Sequence, residues 1–449
     1  EMKMKYIYLI FALLACSILF AEPTYMPVTT IAEDFGATWC LNCPLAWQGL
    51  QAVHSVTHTG EFISARLFTE SGSLSNYMVD ERFNYYNITG LPNVIFNGKI
   101  SLEGIGAGTA DGTDYLNALS GYRYSASPVK IVPTNFSFER GLISGSVIMI
   151  SPDVTISDAR LVYYLLEDNV GEEDHIVRGV LYDDNVSLSG VGDTYNFNQT
   201  FNLEPSWVVS NLWGIVFLQL PNKTILQCIS SLPLPEYNFR AAMDWSRYIT
   251  GDANTNYLSA PLWFFNLGAA ENYTMHLEAD NAPADWYFNY CDETGNCYPG
   301  SIDRPFSMSA GEALSFHLNL TVGSSAIVDF RFVVSSPHIG SYSIPFRYDA
   351  GTPVIDETNN PGALMINNLY PNPVSGTAVF RLLSPKNNDS ATIEIYNVKG
   401  QKVQCLTAIN LHNGINEISF VPDSSLPNGV YFYRLQNTNS KAGRFLLLK

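Results

Sequence analysis

Charge is scarce in this chain of 449 residues: Asp, Glu, Lys and Arg make up 15% of it, and the 24 Lys and Arg are outnumbered by 42 Asp and Glu. The net charge of −18 excludes nucleic acid and anionic membrane surfaces as partners, because both are held by clustered basic side chains. Long apolar runs are missing beyond residue 20, so nothing after that point is long enough to span a bilayer as a helix. There is no Gly-x-Ser-x-Gly elbow, P-loop or dinucleotide fingerprint, which removes the usual signs of a serine hydrolase or a nucleotide enzyme. Cysteine is sparse, with seven in all. Cys40 and Cys43 have no second CxxC or Cys/His knuckle to complete a zinc site, and Pro44 stands where c-type haem attachment requires His. No metal and no cofactor is expected.

Aromatic residues reach 13%, and with so little charge this suits strand-rich extracellular modules; length alone suggests two to four domains. Short alternating runs recur from residue 128 to 234, among them Arg160-Leu161-Val162-Tyr163-Tyr164-Leu165-Leu166 and Trp213-Gly214-Ile215-Val216-Phe217-Leu218, and they predict a β-sandwich. A second set from 238 to 347, including Val328-Asp329-Phe330-Arg331-Phe332-Val333-Val334, predicts another. A Gly/Pro/Asn/Thr-rich link follows at 351–362. Glu172-Glu173-Asp174 and Asp183-Asp184 read as solvated acidic loops, since no spacing there suits calcium. His54 and His58, one turn apart, read as a polar helix face, and the aromatics at 163–164 and 286–290 as sandwich core.

The N-terminus carries Lys3 and Lys5, an apolar run from 6 to 20, then Ala21-Glu22, the pattern of a secretory signal peptide cleaved after Ala21. Glu1 ahead of Met2 is expected to be an artefact of the assigned start. Leu13-Leu14-Ala15-Cys16 resembles a lipoprotein box, with Leu14 a poor fit, so membrane contact is expected only through surface anchoring.

Trp39-Cys40-Leu41-Asn42-Cys43-Pro44 stands where a buried strand (29–37) should run into an amphipathic helix (44–56), and Gly90-Leu91-Pro92 follows before the apolar run Asn93-Val94-Ile95-Phe96. Two thiols at i and i+3 on a first helical turn can bridge, and the orphan N–H groups there stabilise the thiolate of the first. An Asn97-Gly98 turn predicts a hairpin, and a last helix is expected over 110–119. Over residues 23–124 this pattern resembles thioredoxin. The resemblance implies that Cys40 is the nucleophile and Cys43 the resolving thiol. It makes Asp34, six positions before Cys40, the buried base, and Leu91 with a cis Pro92 the holder of an extended substrate, beside Trp39. Leu-Asn between the cysteines departs from the Gly-Pro of thioredoxin, which bears on potential and substrate range.

Asn368-Leu369-Tyr370-Pro371-Asn372-Pro373, the strand-like Thr392-Ile393-Glu394-Ile395-Tyr396 and the closing Gly443-Arg444-Phe445-Leu446-Leu447-Leu448-Lys449 resemble the C-terminal sorting domain of type IX secretion substrates. That resemblance implies a small β-sandwich read by the outer-membrane secretion machinery. Charge marks the boundary independently: residues 361–449 hold eight Lys/Arg against four Asp/Glu, a net of +4, so within the total of −18 the remainder carries −22. The order of a CxxC unit followed by a sandwich with Leu165-Leu166-Glu167-Asp168-Asn169 and His175-Ile176-Val177-Arg178-Gly179-Val180 also resembles a family of exported, outer-membrane-associated proteins of Gram-negative bacteria.

The expected organisation is thus a multidomain α/β plus all-β chain: signal peptide 1–21, thioredoxin-like domain 22–126, β-sandwich 127–235, second β-sandwich 236–350, linker 351–364 and sorting domain 365–449. The expected function is an exported, surface-directed thiol–disulfide oxidoreductase acting on protein thiols or disulfides. The alternative is a non-enzymatic surface or adhesion protein in which the CxxC disulfide is structural. Cys291 and Cys297, separated by a polar loop in an exported protein, are expected to form a structural disulfide; Cys228 and Cys405 are expected to be buried and single.

Overall fold

The computed structural model describes residues 23–69, 74, 77–351, 364–370, 374, 376–384, 389–411, 414–436 and 443–448. The expected signal peptide, Cys16, Pro371, Asn372, Pro373 and all but the two end residues of the linker 351–364 lie outside them. The chain divides into two compact units, 1–352 and 353–449.

In the first unit, β1 (Thr30–Ala37) is buried along its whole length. It runs parallel to β2 (Phe62–Thr69) and antiparallel to β3 (Asn93–Phe96), which returns as β4 (Ile100–Glu103). The hairpin between them turns on Asn97 and Gly98, both left-handed at φ 44° and 72°, as such turns require. A Cβ on Gly98 would also fall 1.9 Å from the Lys223 carbonyl oxygen.

Helix α1 (Cys43–Val56) buries Cys43, Ala46, Trp47, Leu50 and Val53, the one-face spacing of an amphipathic helix. With α3 (Thr113–Ser120) it covers one face of the sheet, packing on Ala32, Val94 and Phe96. Between them in sequence, α2 (Tyr77–Tyr86) places Val79 in the core of the opposite face.

The sheet does not stop at the N-terminal segment. Strands β5 (Ile156–Glu167), β6 (Ile176–Leu188), β7 (Leu212–Gln219) and β8 (Ile225–Ser230) extend it to eight strands, in the order β8-β7-β5-β6-β2-β1-β3-β4, so that it crosses the boundary expected at 126/127. The join is the parallel pairing of Ile176 with Arg66. Apolar side chains from both sides share one core, with Ile31, Phe35 and Leu67 packed among Val162, Tyr164 and Phe217. Through the same layer runs a buried ion pair: Glu33 accepts from the Arg82 guanidinium at 2.7 Å and from the hydroxyls of Tyr86 and Tyr164. Such a charge is tolerable in a core only when paired and hydrogen-bonded on this scale.

On its other face, this extended sheet packs a second apolar core against a three-stranded sheet, Val129–Ser137, Leu142–Met149 and Thr194–Thr200. Beyond a two-stranded pairing of Met26–Pro27 with Ala126–Ser127, a six-stranded and a five-stranded sheet form a sandwich with Trp286, Tyr290, Phe316, Phe330 and Phe332 in its core. The aromatic side chains at 163 and 164, 286 and 290 are buried as expected of sandwich core, while Tyr287 is 69% exposed.

The second unit is a smaller sandwich. A three-stranded sheet (Met365–Tyr370, Ala378–Ser384, Gly414–Phe420) and a four-stranded sheet (Lys402–Leu411, Asp389–Asn397, Gly429–Leu435, Gly443–Leu447) enclose Phe380, Ile393, Phe420, Tyr431 and Phe445. Cys405 corrects an expectation: it is single but exposed, on a strand at the end of the four-stranded sheet, paired with Glu394. Strand alternation turns its side chain away from the apolar layer. Cys228 is single and buried.

Candidate functional site

The site is assembled where β1 ends. A turn from Ala37 to Cys40 leads into α1, whose first residue is Cys43. Asn42, at the N-cap, is in a right-handed conformation and makes no side-chain cap bond. The cap contact comes from sulfur: the Cys43 N–H donates to Cys40 Sγ at 3.2 Å. Cys40 and Cys43 form a disulfide. Both are largely buried, Cys40 at 9% exposure and Cys43 at 3%. On reduction, the positive end of the helix and this N–H both favour a thiolate at Cys40.

Beneath the helix, strand alternation sets Ala32, Asp34 and Gly36 on one face of β1. Gly36 is the strand's contact with the disulfide, since a Cβ there would lie 3.4 Å from Cys43 Sγ. Asp34 is one pleat lower, 3% exposed. Its Oδ2 faces Nε of Arg66 at 3.5 Å, whereas Oδ1 is buried with no hydrogen-bond partner among the described residues. Burial pushes the Asp34 carboxyl up from 3.8 to about 6, with the Arg66 charge opposing the rise. Tyr115, reaching in from α3, is also pushed up, by burial and then by the Asp34 charge.

Arg66 is equally enclosed. Its guanidinium lies 4.6 Å from the Trp47 ring centroid and 5.0 Å from that of Phe68, and Nη1 donates to Glu173. Neither Arg66 nor Glu173 was marked by the sequence. Their pairing spans over a hundred positions, and Glu172-Glu173-Asp174 carries only the signature of a solvated acidic loop. The neighbouring acidic residues are engaged too: Asp183 accepts from Tyr163 and Gln199, and Asp184 from Arg160 at 2.5 Å.

At the rim, Trp39 and Leu41 are 62% and 92% exposed. Leu91 packs against Ala37, Cys40 and Cys43, and the Leu91–Pro92 peptide is cis. Trp39, Cys40, Cys43 and Leu91, with its cis bond to Pro92, thus gather at the N-terminal end of α1, and Asp34 lies one pleat below Gly36 on β1. At the other end, His54 Nε2 shares a hydrogen bond with Ser64 Oγ at 2.9 Å, and Ser64 Oγ one with His175 Nδ1 at 3.1 Å. Burial, reinforced by His175, pushes His54 down to about 4, and the ring packs on Phe62. His58 lies beyond the end of the helix, against Tyr342. A cleft of about 510 Å³ opens beside these residues, walled by Trp47, His175 and Leu234. Among the described residues, no three His, Cys, Asp or Glu side chains are grouped to hold a metal ion.

A second disulfide joins Cys291 and Cys297, which are direct cross-strand partners in the second sandwich. Asp292 organises the turn between them, accepting from the N–H groups of Thr294 and Asn296 at 3.0 and 3.1 Å.

Residues 368–449 match the family described as the Secretion system C-terminal sorting domain. The tail is a type IX secretion sorting domain. The chain is accordingly exported to the cell surface or beyond, and its tail engages the secretion machinery. No curated protein matches the sequence. Among solved structures, the chain is similar to HBP35 of Porphyromonas gingivalis at 11% identity and a TM-score of 0.38, covering 73% of this chain and 99% of that one. It is also similar to dimeric latent PorU of the same organism, at 14% identity and a TM-score of 0.19, covering 72% and 34%. Neither likeness bears on activity. No helix among the described residues is long and apolar enough to cross a membrane.

Proposed function

We propose that this exported protein is a thioredoxin-like thiol–disulfide oxidoreductase acting on protein disulfides or thiols, with residues 22–126 as the exchange unit. The observation that carries the reading is the Cys40–Cys43 disulfide at the N-terminus of α1, with a helix N–H already directed at Cys40 Sγ. In the reducing direction, the Cys40 thiolate attacks one sulfur of a substrate disulfide, and the other substrate sulfur leaves as a thiolate. Cys43 then gives its proton to the Asp34 carboxylate, directly or through one water, and attacks Cys40 Sγ. The second substrate sulfur leaves and is protonated; the substrate has gained two electrons and the cysteine pair has lost two. Trp39, Leu41 and Leu91 offer an apolar rim to the incoming chain, and the same steps reversed oxidise a dithiol.

Titration of the full chain in thiol–disulfide buffers tests this, with a Cys40→Ser/Cys43→Ser variant to subtract the Cys291–Cys297 signal. A potential for the Cys40–Cys43 pair between about −270 and −120 mV, the span of known oxidoreductases, together with reduction of a protein disulfide, is the expected result. A pair that stays oxidised below about −300 mV and exchanges with nothing overturns it, in favour of a surface-binding protein with a structural CxxC.

A further inference from the structure

We propose that Glu173, on the segment between β5 and β6, is a positioning residue for the thiol site: it holds the Arg66 guanidinium partly away from Asp34 and so sets how readily that carboxylate takes a proton. The inference rests on the reading of Asp34 as the base for Cys43.

The guanidinium is shared by two carboxylates. Nη1 donates to Glu173, while Nε faces Asp34 Oδ2 at 3.5 Å, beyond a good charge-assisted hydrogen bond. Arg66 has little room to choose between them, because Trp47 and Phe68 enclose its planar end. The segment carrying Glu173 is itself fixed. The Arg66 N–H donates to the His175 carbonyl at 2.8 Å, the His175 N–H to Asp168 at 2.8 Å, and Trp213 Nε1 to the same carboxylate at 2.9 Å. Among the described residues, the charged and titratable groups around Asp34 are therefore Arg66 from β2, Tyr115 from α3 and Glu173 from this segment; β3 sets apolar Val94 opposite, and Cys43 is held in its disulfide. A guanidinium committed to Glu173 offers Asp34 less positive potential, which leaves the carboxylate basic enough to accept a thiol proton near neutral pH.

The test follows the Asp34 carboxyl directly by carbon-13 NMR in the full-length, oxidised protein labelled at aspartate, with Asp34→Asn identifying the signal. Glu173→Gln should lower the Asp34 midpoint by about half a pH unit or more. Glu173→Ala should act in the same direction, and Glu172→Gln, on an exposed neighbour, should leave the midpoint in place. The Glu173 side chain is 33% exposed, so folding should survive the change. Coincident Asp34 titrations in the wild-type and Glu173 variants overturn the inference. The readout needs no substrate, so it stands apart from the exchange assay: a chain that exchanges nothing counts against the oxidoreductase, and an unmoved midpoint counts against Glu173.

Discussion

Asp34 and Arg66 lie directly opposite one another on neighbouring parallel strands, yet only one of the two carboxylate oxygens faces the guanidinium. This carboxylate is buried, beneath a helix that opens on the Cys40–Cys43 disulfide. It also destabilises the fold whenever it is charged.

The stability consequence has a definite sign. The folded carboxyl titrates at about 6 rather than 3.8, so between those values the folded protein keeps a proton the unfolded chain has released. Stability therefore falls as pH rises through this window and stays reduced above it. Asp34→Asn should stabilise the full chain at pH 7.5 by about 1–3 kcal/mol, with Arg66 still paired to Glu173, and the gain should vanish by about pH 3.5. Denaturant melts of both proteins at the two pH values measure it.

The same substitution should impair exchange. Without the base, release of a substrate from its mixed disulfide with Cys40 should slow by about 100-fold at neutral pH. The attack of Cys40, read by the initial appearance of the mixed disulfide, should change little.

Cys40 should be the first thiol alkylated in the reduced protein, by roughly tenfold over Cys43 at pH 7. It is the more exposed of the two, and its Sγ accepts the Cys43 N–H. Mass spectrometry after limiting iodoacetamide decides the order, and Cys43→Ser should accumulate mixed disulfides through Cys40.

Replacing Cys291 and Cys297 by Ser should cost about 2 kcal/mol, as expected for so short a loop, and leave thiol exchange unchanged. Unfolding in urea gives the first quantity and the exchange assay the second.

Deleting 368–449, the matched sorting domain, should leave the protein in the periplasm with undiminished exchange activity, because the tail forms its own compact unit. Cell fractionation and an activity assay on the periplasmic extract measure both.

Local pattern made much of this visible in the sequence. The apolar stripe at Ala46, Trp47, Leu50 and Val53, the alternation in the strands and the Asn97-Gly98 turn each act within a few residues, and the structure has the elements they indicate. Helix α2 has no such local signature: Asp80-Glu81-Arg82 breaks its apolar pattern, and the buried Arg82 is neutralised by Glu33, some fifty positions earlier. Arg66 and Glu173 were hidden for the same reason: a charge's partner across the fold leaves no mark on its neighbours in sequence. Cys405 was misjudged because strand alternation fixes two faces without saying which is apolar.

The eight-stranded sheet ties the thiol site to a distant part of the chain. The strands that complete its core reach down to Ser230. Without them Ile31, Phe35 and Leu67 would lack their apolar cover and Glu33 would lack Tyr164. A fragment ending near residue 126 would therefore hold its cysteines in an unfinished domain, because closure of the core depends on a segment far downstream.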